Sequence, residues 1–402
     1  MFDLDAFIGQ YVTRRDRSMF LEDIVDNTDA LTKKIEKKKV LVIGGAGSIG
    51  SSFIKAILPF KPAELVVVDI NENALAELTR DLRSTKGMYI PSCYITYPMD
   101  FSSKVFNKMF RKHGAFDIVA NFSAHKHVRS EKDIYSVEAL LQNNVLNVRL
   151  LLDLLAEYPP EEYFCVSTDK AANPVNIMGA SKRIMEDVIF SYSDKFPVKT
   201  ARFANVAFSN GSLPAGFLER IQKLQPLSAP MDVRRYFVSP EESGHICMLS
   251  CMLGNNREIF FPKLEEEQMM TFDQIATKLL REYGYDVLEC DSDEEAVNQA
   301  LELKNGSKTY PVHYSISDTS GEKAYEEFYT QDEKVDLERL RALGVVVEKE
   351  IPNKIRIDDL FKKLNSTVNK DTTTKEEIVT VLKEYLPNFE HIETGMSLDN
   401  KM

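Results

Sequence analysis

Short apolar runs, each stopped by a glycine or a polar residue, recur along the first half of the chain with helical periods between them. Lys39-Val-Leu-Val-Ile43, Glu64-Leu-Val-Val-Val-Asp69, Ser92 to Tyr97, Phe116-Asp-Ile-Val-Ala-Asn121, Tyr163-Phe-Cys-Val-Ser167 and Val198-Lys-Thr-Ala-Arg-Phe-Ala204 read as strands. The first two are β-branched and lack alternation, as expected for strands buried on both faces. Ser51 to Leu58, Asn73 to Leu82, Tyr135 to Ala156 and Gly179 to Ser191 read as helices. This alternation predicts an α/β chain with a Rossmann-like doubly wound parallel sheet. After Asn205 the pattern becomes irregular, which suits a smaller, mixed substrate-binding domain with segments returning to the sheet.

The organisation expected is an N-terminal helical extension over 1–37, a dinucleotide-binding domain over 38–205, a substrate domain over 206–365, and a linker with a docking helix over 366–402. Asn365 to Thr373 is polar and Thr/Asn-rich, and Thr374-Lys-Glu-Glu377 is a capping box. Ile378, Leu382 and Tyr385 then share one helical face before Pro387.

Composition narrows the partners. The 402 residues are 44% apolar and carry a formal charge of −12, with no basic patch, so nucleic acid is not expected. No signal peptide and no run of about 18 apolar residues is present, which predicts a soluble, cytoplasmic chain without membrane insertion. The five cysteines are scattered, and His125-x-His127 lacks further ligands, so no metal is expected.

Ligands of a doubly wound sheet bind outside the carboxyl ends of its strands. Gly44-x-x-Gly47-x-x-Gly50, with Ser48 and Ile49 inside it, joins a strand to a helix there. Glycine allows a tight turn and close approach, and a helix N-terminus attracts a pyrophosphate. Asp69 stands about 20 residues on, where a carboxylate can accept from ribose hydroxyls and would repel a 2′-phosphate. NAD is therefore expected rather than NADP. Asp100 and Ser123 also fall past strand ends; Asp100 could accept from the adenine amino group or cap the next helix.

Asn121-Phe-Ser-Ala-His-Lys-His127, Ser167-Thr-Asp-Lys-Ala171, Pro174-x-x-x-Met178-Gly-x-x-Lys182 and Arg202-Phe-x-Asn205-Val206 follow the glycine motif in order. Together they resemble the extended short-chain dehydrogenases/reductases that act on nucleotide sugars. Within those, the chain is similar to soluble UDP-N-acetylglucosamine 4,6-dehydratases of bacterial polysaccharide biosynthesis. Ser209-Asn-Gly-Ser212, Arg235-Tyr-Phe237 and Gly321-Glu-Lys323 add to the match. The resemblance covers about residues 38–345.

Met178 stands where that superfamily usually has the tyrosine of Tyr-x-x-x-Lys, and methionine transfers no proton. The resemblance implies that the proton chemistry falls to Thr168 as relay, Asp169 as acid and Lys170 as base, with the last two roles exchangeable. Lys182 would hold the cofactor ribose, and Met178 would form an apolar wall. Lys126 would line the sugar end. Asn205 and Arg235 would meet the diphosphate, and Ser212 and Glu322 the nucleotide. The expected activity is a lyase reaction on a UDP-sugar with regenerated NAD, with retention at C5 and a homo-oligomeric enzyme. A 4-epimerase and a non-catalytic NAD-binding sensor are the alternatives.

Overall fold

A computed structural model describes residues 2–127, 131–317 and 327–392. Three short helices, α1 (Leu4–Phe7), α2 (Leu21–Asp26) and α3 (Thr28–Ile35), open the chain. The expected alternation follows as β1 (Lys39–Ile43), α4 (Ser48–Ile57), β2 (Glu64–Asp69), α5 (Glu72–Ser84), β3 (Cys93–Pro98), α6 (Lys104–His113) and β4 (Ile118–Asn121). It continues with α7 (Ile134–Leu141), α8 (Asn147–Glu157), β5 (Glu162–Thr168), α9 (Ile177–Phe190) and β6 (Val198–Phe203).

The less regular half holds β7 (Asn205–Val206), α10 (Leu213–Gln222), β8 (Leu227–Pro230), β9 (Arg234–Arg235), β10 (Phe237–Val238) and α11 (Pro240–Leu253). Next come β11 (Glu258–Pro262), β12 (Met270–Thr271), α12 (Phe272–Glu282), β13 (Asp286–Cys290), α13 (Asp293–Gln299) and β14 (Thr309–Ser315). The short strands β15 (Val335–Asp336) and β16 (Leu343–Val346) precede two helices, α14 (Lys354–Val368) and α15 (Lys375–Tyr385).

The main sheet has the order β15-β16-β11-β6-β5-β4-β1-β2-β3. From β11 to β3 every pairing is parallel, while β16 and β15 join antiparallel. The chain runs outward from β1 to β3, then returns to lay β4 against the other side of β1. That reversal opens a crevice beyond the carboxyl ends of β1 and β4. A second, parallel sheet, β13-β14-β8, carries the smaller core of Phe217, Leu279 and Tyr310.

The polar N-terminal extension is more deeply used than its composition suggests. Phe7, Ile8 and Val12 enter the smaller core, while Phe20, Leu31 and Ile35 enter the larger one. At the other end, Leu360 and Leu364 of α14 and Ile378 and Leu382 of α15 pack into the larger core. The capping box at Thr374 and Glu377 forms as expected. The linker expected from Asn365 does not begin there, because α14 continues to Val368 with Leu364 and Thr367 buried.

All four expected helices shift at their ends, and two of the differences bear on the site. The one expected from Ser51 starts at Ser48, with Gly47 as its N-cap, so the glycine motif itself forms the first turn. The single helix expected from Tyr135 to Ala156 is split by a π-helical turn, Gln142–Leu146. Asn144 in that turn is buried, donates to the His125 carbonyl at 2.8 Å and accepts the His125 N–H at 2.9 Å. The wider turn fits this inward amide into an otherwise apolar helix.

A buried ion network lies within the lobe of the large sheet. Arg202 of β6 is fully buried and forks onto Glu186 of α9 at 2.8 and 2.9 Å and onto Glu333 at 2.6 and 2.9 Å. It also donates to the Phe328 carbonyl at 2.9 Å. Burial alone would raise the Glu333 carboxyl, but the bonds and charge of Arg202 win and hold it at about 2. A depressed carboxylate contributes stability that is present above its unfolded value, roughly 4.3, and lost as pH falls. The network should therefore weaken between about pH 4 and 2, followed by tryptophan-independent circular dichroism. Glu333→Gln should lower unfolding free energy by about 3 kcal/mol in urea denaturation at neutral pH, because it leaves a buried guanidinium underpaired.

Candidate active site

The crevice is shaped first by two glycines. Gly44 leaves β1 at φ 71°, and a Cβ there would lie 2.7 Å from the Ser123 nitrogen. A Cβ on Gly50 would lie 2.3 Å from the Gly44 carbonyl oxygen. Both contacts forbid a side chain, so β1, β4 and α4 can converge only with glycine at these positions. Gly47 is different. Its φ is −73°, and a Cβ would meet only the Gly44 oxygen, at 3.4 Å. What it leaves bare is the N-terminus of α4, where Ser48 and Ile49 begin the helix and no side chain caps it. Uncapped N–H groups and the helix dipole make this an anion cradle.

Asp69 ends β2 facing that loop. One carboxylate oxygen accepts the Ala46 N–H and the other the Asn71 N–H, both at 3.0 Å. Asp100 is exposed and closes a turn on Ser102, accepting its N–H at 2.7 Å and its hydroxyl at 2.8 Å. It does not cap α6; Ser103 does. The Ser123 hydroxyl donates to Asn143 at 3.2 Å, which links the β4 end to the π-helical turn.

The end of β5 carries Thr168, followed at once by Asp169 and Lys170. Thr168 donates its hydroxyl to Asp169 at 2.6 Å, and the Lys170 ammonium lies 3.1 and 3.3 Å from the two carboxylate oxygens. Asp169 is 5% exposed, so the three groups form a compact chain at the crevice floor. Gly179 of α9 presses against them: a Cβ there would lie 2.6 Å from the Lys170 carbonyl oxygen.

One turn further along α9, Lys182 is buried and donates to the Val166 carbonyl at 2.9 Å. Met178 is also buried. Its N–H donates to Glu131 at 2.9 Å and its carbonyl accepts from Ser181 at 2.7 Å, while Ser181 accepts from Asn144 at 3.2 Å. Glu131, Asn143 and Asn144 escaped sequence reasoning, although two asparagines inside an apolar helical run were a signal that polar groups there face inward.

Lys126, Asn205, Arg235 and Ser212 lie on or beside the segments that follow β4 and β6. Lys126 is exposed by area, yet enough protein surrounds it that desolvation lowers its ammonium pKa. The Asn210 N–H donates to the Ser48 hydroxyl at 2.9 Å, and Gly211 abuts His127, so the 205–212 loop crosses from the glycine motif to the Lys126 loop. Asn205 bonds the Tyr236 carbonyl at 3.1 Å, beside buried Arg235, which donates to the Arg234 carbonyl at 2.9 Å. Ser212 caps α10 through the Ala215 N–H at 3.4 Å. Glu322 lies outside the described residues.

A family described as polysaccharide biosynthesis protein matches residues 40–348. The chain belongs to this family. Proteins similar to it include an uncharacterized membrane protein of Methanocaldococcus jannaschii, 30% identical over 86% of this chain and 96% of that protein. The capsular polysaccharide biosynthesis protein CapD of Staphylococcus aureus is 26% identical over 87% of this chain, which spans only 58% of CapD. A UDP-N-acetylglucosamine 4,6-dehydratase (inverting) of Campylobacter jejuni is 25% identical over 57% of this chain and 67% of that enzyme. Among solved structures, Pen from Bacillus thuringiensis superposes with a TM-score of 0.63 at 19% identity, covering 88% of this chain and 98% of Pen. The shared architecture is the Rossmann-like fold. Among the described residues, no helix is long and apolar enough to cross a membrane.

Burial lowers the Lys182 ammonium to about 8. Folding therefore penalises its charged form: stability from this group is gained as pH rises from about 8 toward the unfolded value near 10.4. Any function that needs the charge is lost over the same rise. An NMR titration of the Lys182 Nζ should show a midpoint near 8, and one near 10.4 would contradict it.

Proposed function

We propose that this chain is an NAD-dependent dehydratase that removes water across C5 and C6 of UDP-N-acetylglucosamine after oxidation at C4. The observation that carries the reading is the hydrogen-bonded chain Thr168–Asp169–Lys170 at the floor of a crevice whose tyrosine position is Met178. The Campylobacter relative's named activity supports the substrate.

The glycine cradle suits a dinucleotide. The uncapped N-terminus of α4 would hold the pyrophosphate close to Gly47, and Asp69 would accept from the adenosine ribose. Asp100 and Ser123 would border the same ligand, and Lys182 its second ribose. NAD, when bound, supplies the hydride acceptor at sugar C4 and the donor at C6.

The protons are the chain's own task. Thr168 already donates to Asp169, so a 4-hydroxyl bonded to Thr168 can pass its proton through that hydroxyl to the carboxylate. Lys170 enters this step as the neutral amine, its ammonium proton already given up to solvent, and with Asp169 now neutral the amine takes the C5 proton. Asp169 then protonates the C6 hydroxyl as it leaves as water, and Lys170 returns its proton to C5. Arg235 and Asn205 would meet the diphosphate, and Lys126 the sugar end. Ser212 and Glu322 remain proposed for the nucleotide. The Lys170–Pro174 segment led us to expect retention at C5, whereas the Campylobacter enzyme is named as inverting.

Incubation with UDP-N-acetylglucosamine should give a product lighter by one water, with the C5 configuration read by NMR; an unchanged mass with a new C4 epimer would indicate epimerisation instead. Asp169→Asn and Lys170→Ala should each lower turnover at least ~100-fold with the fold intact, while Met178→Ala costs much less. Gly47→Ala should change stability by no more than about 1 kcal/mol yet weaken NAD binding by calorimetry, because its methyl group enters the cradle.

A further inference from the structure

The N-terminal end of α9 is held by a carboxylate from outside the sequence motif. Glu131 is 9% exposed, and one of its oxygens accepts the Met178 N–H at 2.9 Å. Met178 is the second residue of α9, where main-chain N–H groups have no partner within the helix. A carboxylate there makes a charge-assisted bond and meets the positive end of the helix dipole.

Glu131 is in turn held by the far end of the chain. His391 Nε2 lies 3.6 Å from its other carboxylate oxygen, and Lys375 Nζ donates to its main-chain carbonyl at 3.0 Å. Beside them, the Ile392 N–H donates to the Val175 carbonyl at 3.0 Å, in the loop that enters α9. Phe389 is buried in the main core and anchors this tail. The segment it grips lies directly against the reactive groups, since Gly179 abuts the Lys170 carbonyl and α9 carries Lys182.

We propose that Glu131 is a positioning residue that sets the N-terminal turn of α9 against Thr168–Asp169–Lys170, and that the C-terminal tail holds Glu131 in place through His391 and Lys375. Catalytic groups lose rate steeply when displaced by about 1 Å, so the arrangement acts on turnover more than on binding. The turnover part of this inference rests on the proposed dehydratase reading; the structural part does not.

The test compares Glu131→Ala, Glu131→Gln and the double variant His391→Ala/Lys375→Ala, all in the full chain with Phe389 left in place. Amide hydrogen exchange should speed up over residues 176–182 in Glu131→Ala and in the double variant, with β1 and β2 unchanged. Turnover of UDP-N-acetylglucosamine should fall roughly 10- to 100-fold in Glu131→Ala while KM stays within about twofold. Glu131→Gln, which keeps an acceptor oxygen, should recover most of both. Unchanged exchange over 176–182 in either variant, or equal acceleration across the whole chain, would overturn the proposal. A wild-type chain without turnover would count against the proposed function, and the exchange result would still decide the role of Glu131.

Discussion

The carbonyl oxygen of Lys170 and the α-carbon of Gly179 are packed so closely that a methyl group on the glycine would lie 2.6 Å from the oxygen. That approach lets α9 lie down directly on the end of β5. It puts a buried lysine, a buried methionine and a capped helix end beside three consecutive proton-handling residues. A bulkier residue at 179 would lift α9 and separate Lys182 from the strand carbonyl it bonds. Two similar approaches, Gly50 on Gly44 and Gly44 on Ser123, build the other wall of the crevice. The site is therefore framed by backbone touching backbone, which rotamer changes cannot loosen.

Charge is treated in two ways along neighbouring strands. Behind the crevice, Arg202 is fully enclosed and matched by two carboxylates and a carbonyl, so its charge is permanent. At the crevice floor, Lys182 has only main-chain and sulfur neighbours for its ammonium among its recorded bonds, and burial brings its titration to about 8. Asp169 and Lys170 face each other with Thr168 alongside. The first arrangement resists pH until carboxylates protonate, whereas the Lys182 ammonium loses its proton close to neutral pH.

The two ends of the chain serve the same centre from opposite sides. The N-terminal segment stitches the lobes, since its first apolar residues enter the smaller core and its later ones the larger. Arg15 reinforces this by forking onto Glu242 of α11 at 2.7 Å. The C-terminal helices cover α8, where Arg149 lies 4.5 Å over the Phe361 ring, and the tail then reaches Glu131. Neither end contains a catalytic motif, yet both set the relative position of the elements that do.

Much of the large sheet was legible because each of its buried strands is a short β-branched run with its own stop signal, and the motif residues fall at the strand ends. The glycine cradle and Asp69 follow from that local grammar, Thr168–Asp169–Lys170 and Lys182 rest on the family resemblance, and the switch point beside β1 comes from the strand order of the fold. The π-helical turn was not legible, because a helical period looks the same until Asn144 finds His125 in space. Asp100 was ambiguous between ligand and cap, and the fold excludes the cap, because its carboxylate closes a turn on Ser102 while Ser103 caps α6. Glu131 lies more than 240 residues before Lys375 and His391, so nothing in its sequence neighbourhood links it to them. By itself the sequence determined the parallel sheet and the glycine cradle, since these depend on local periodicity and spacing, and its family resemblance singled out Thr168, Asp169 and Lys170. Only the tertiary structure decided which buried charges are paired, where α9 is clamped and how the chain ends meet the site, because those depend on groups brought together by folding.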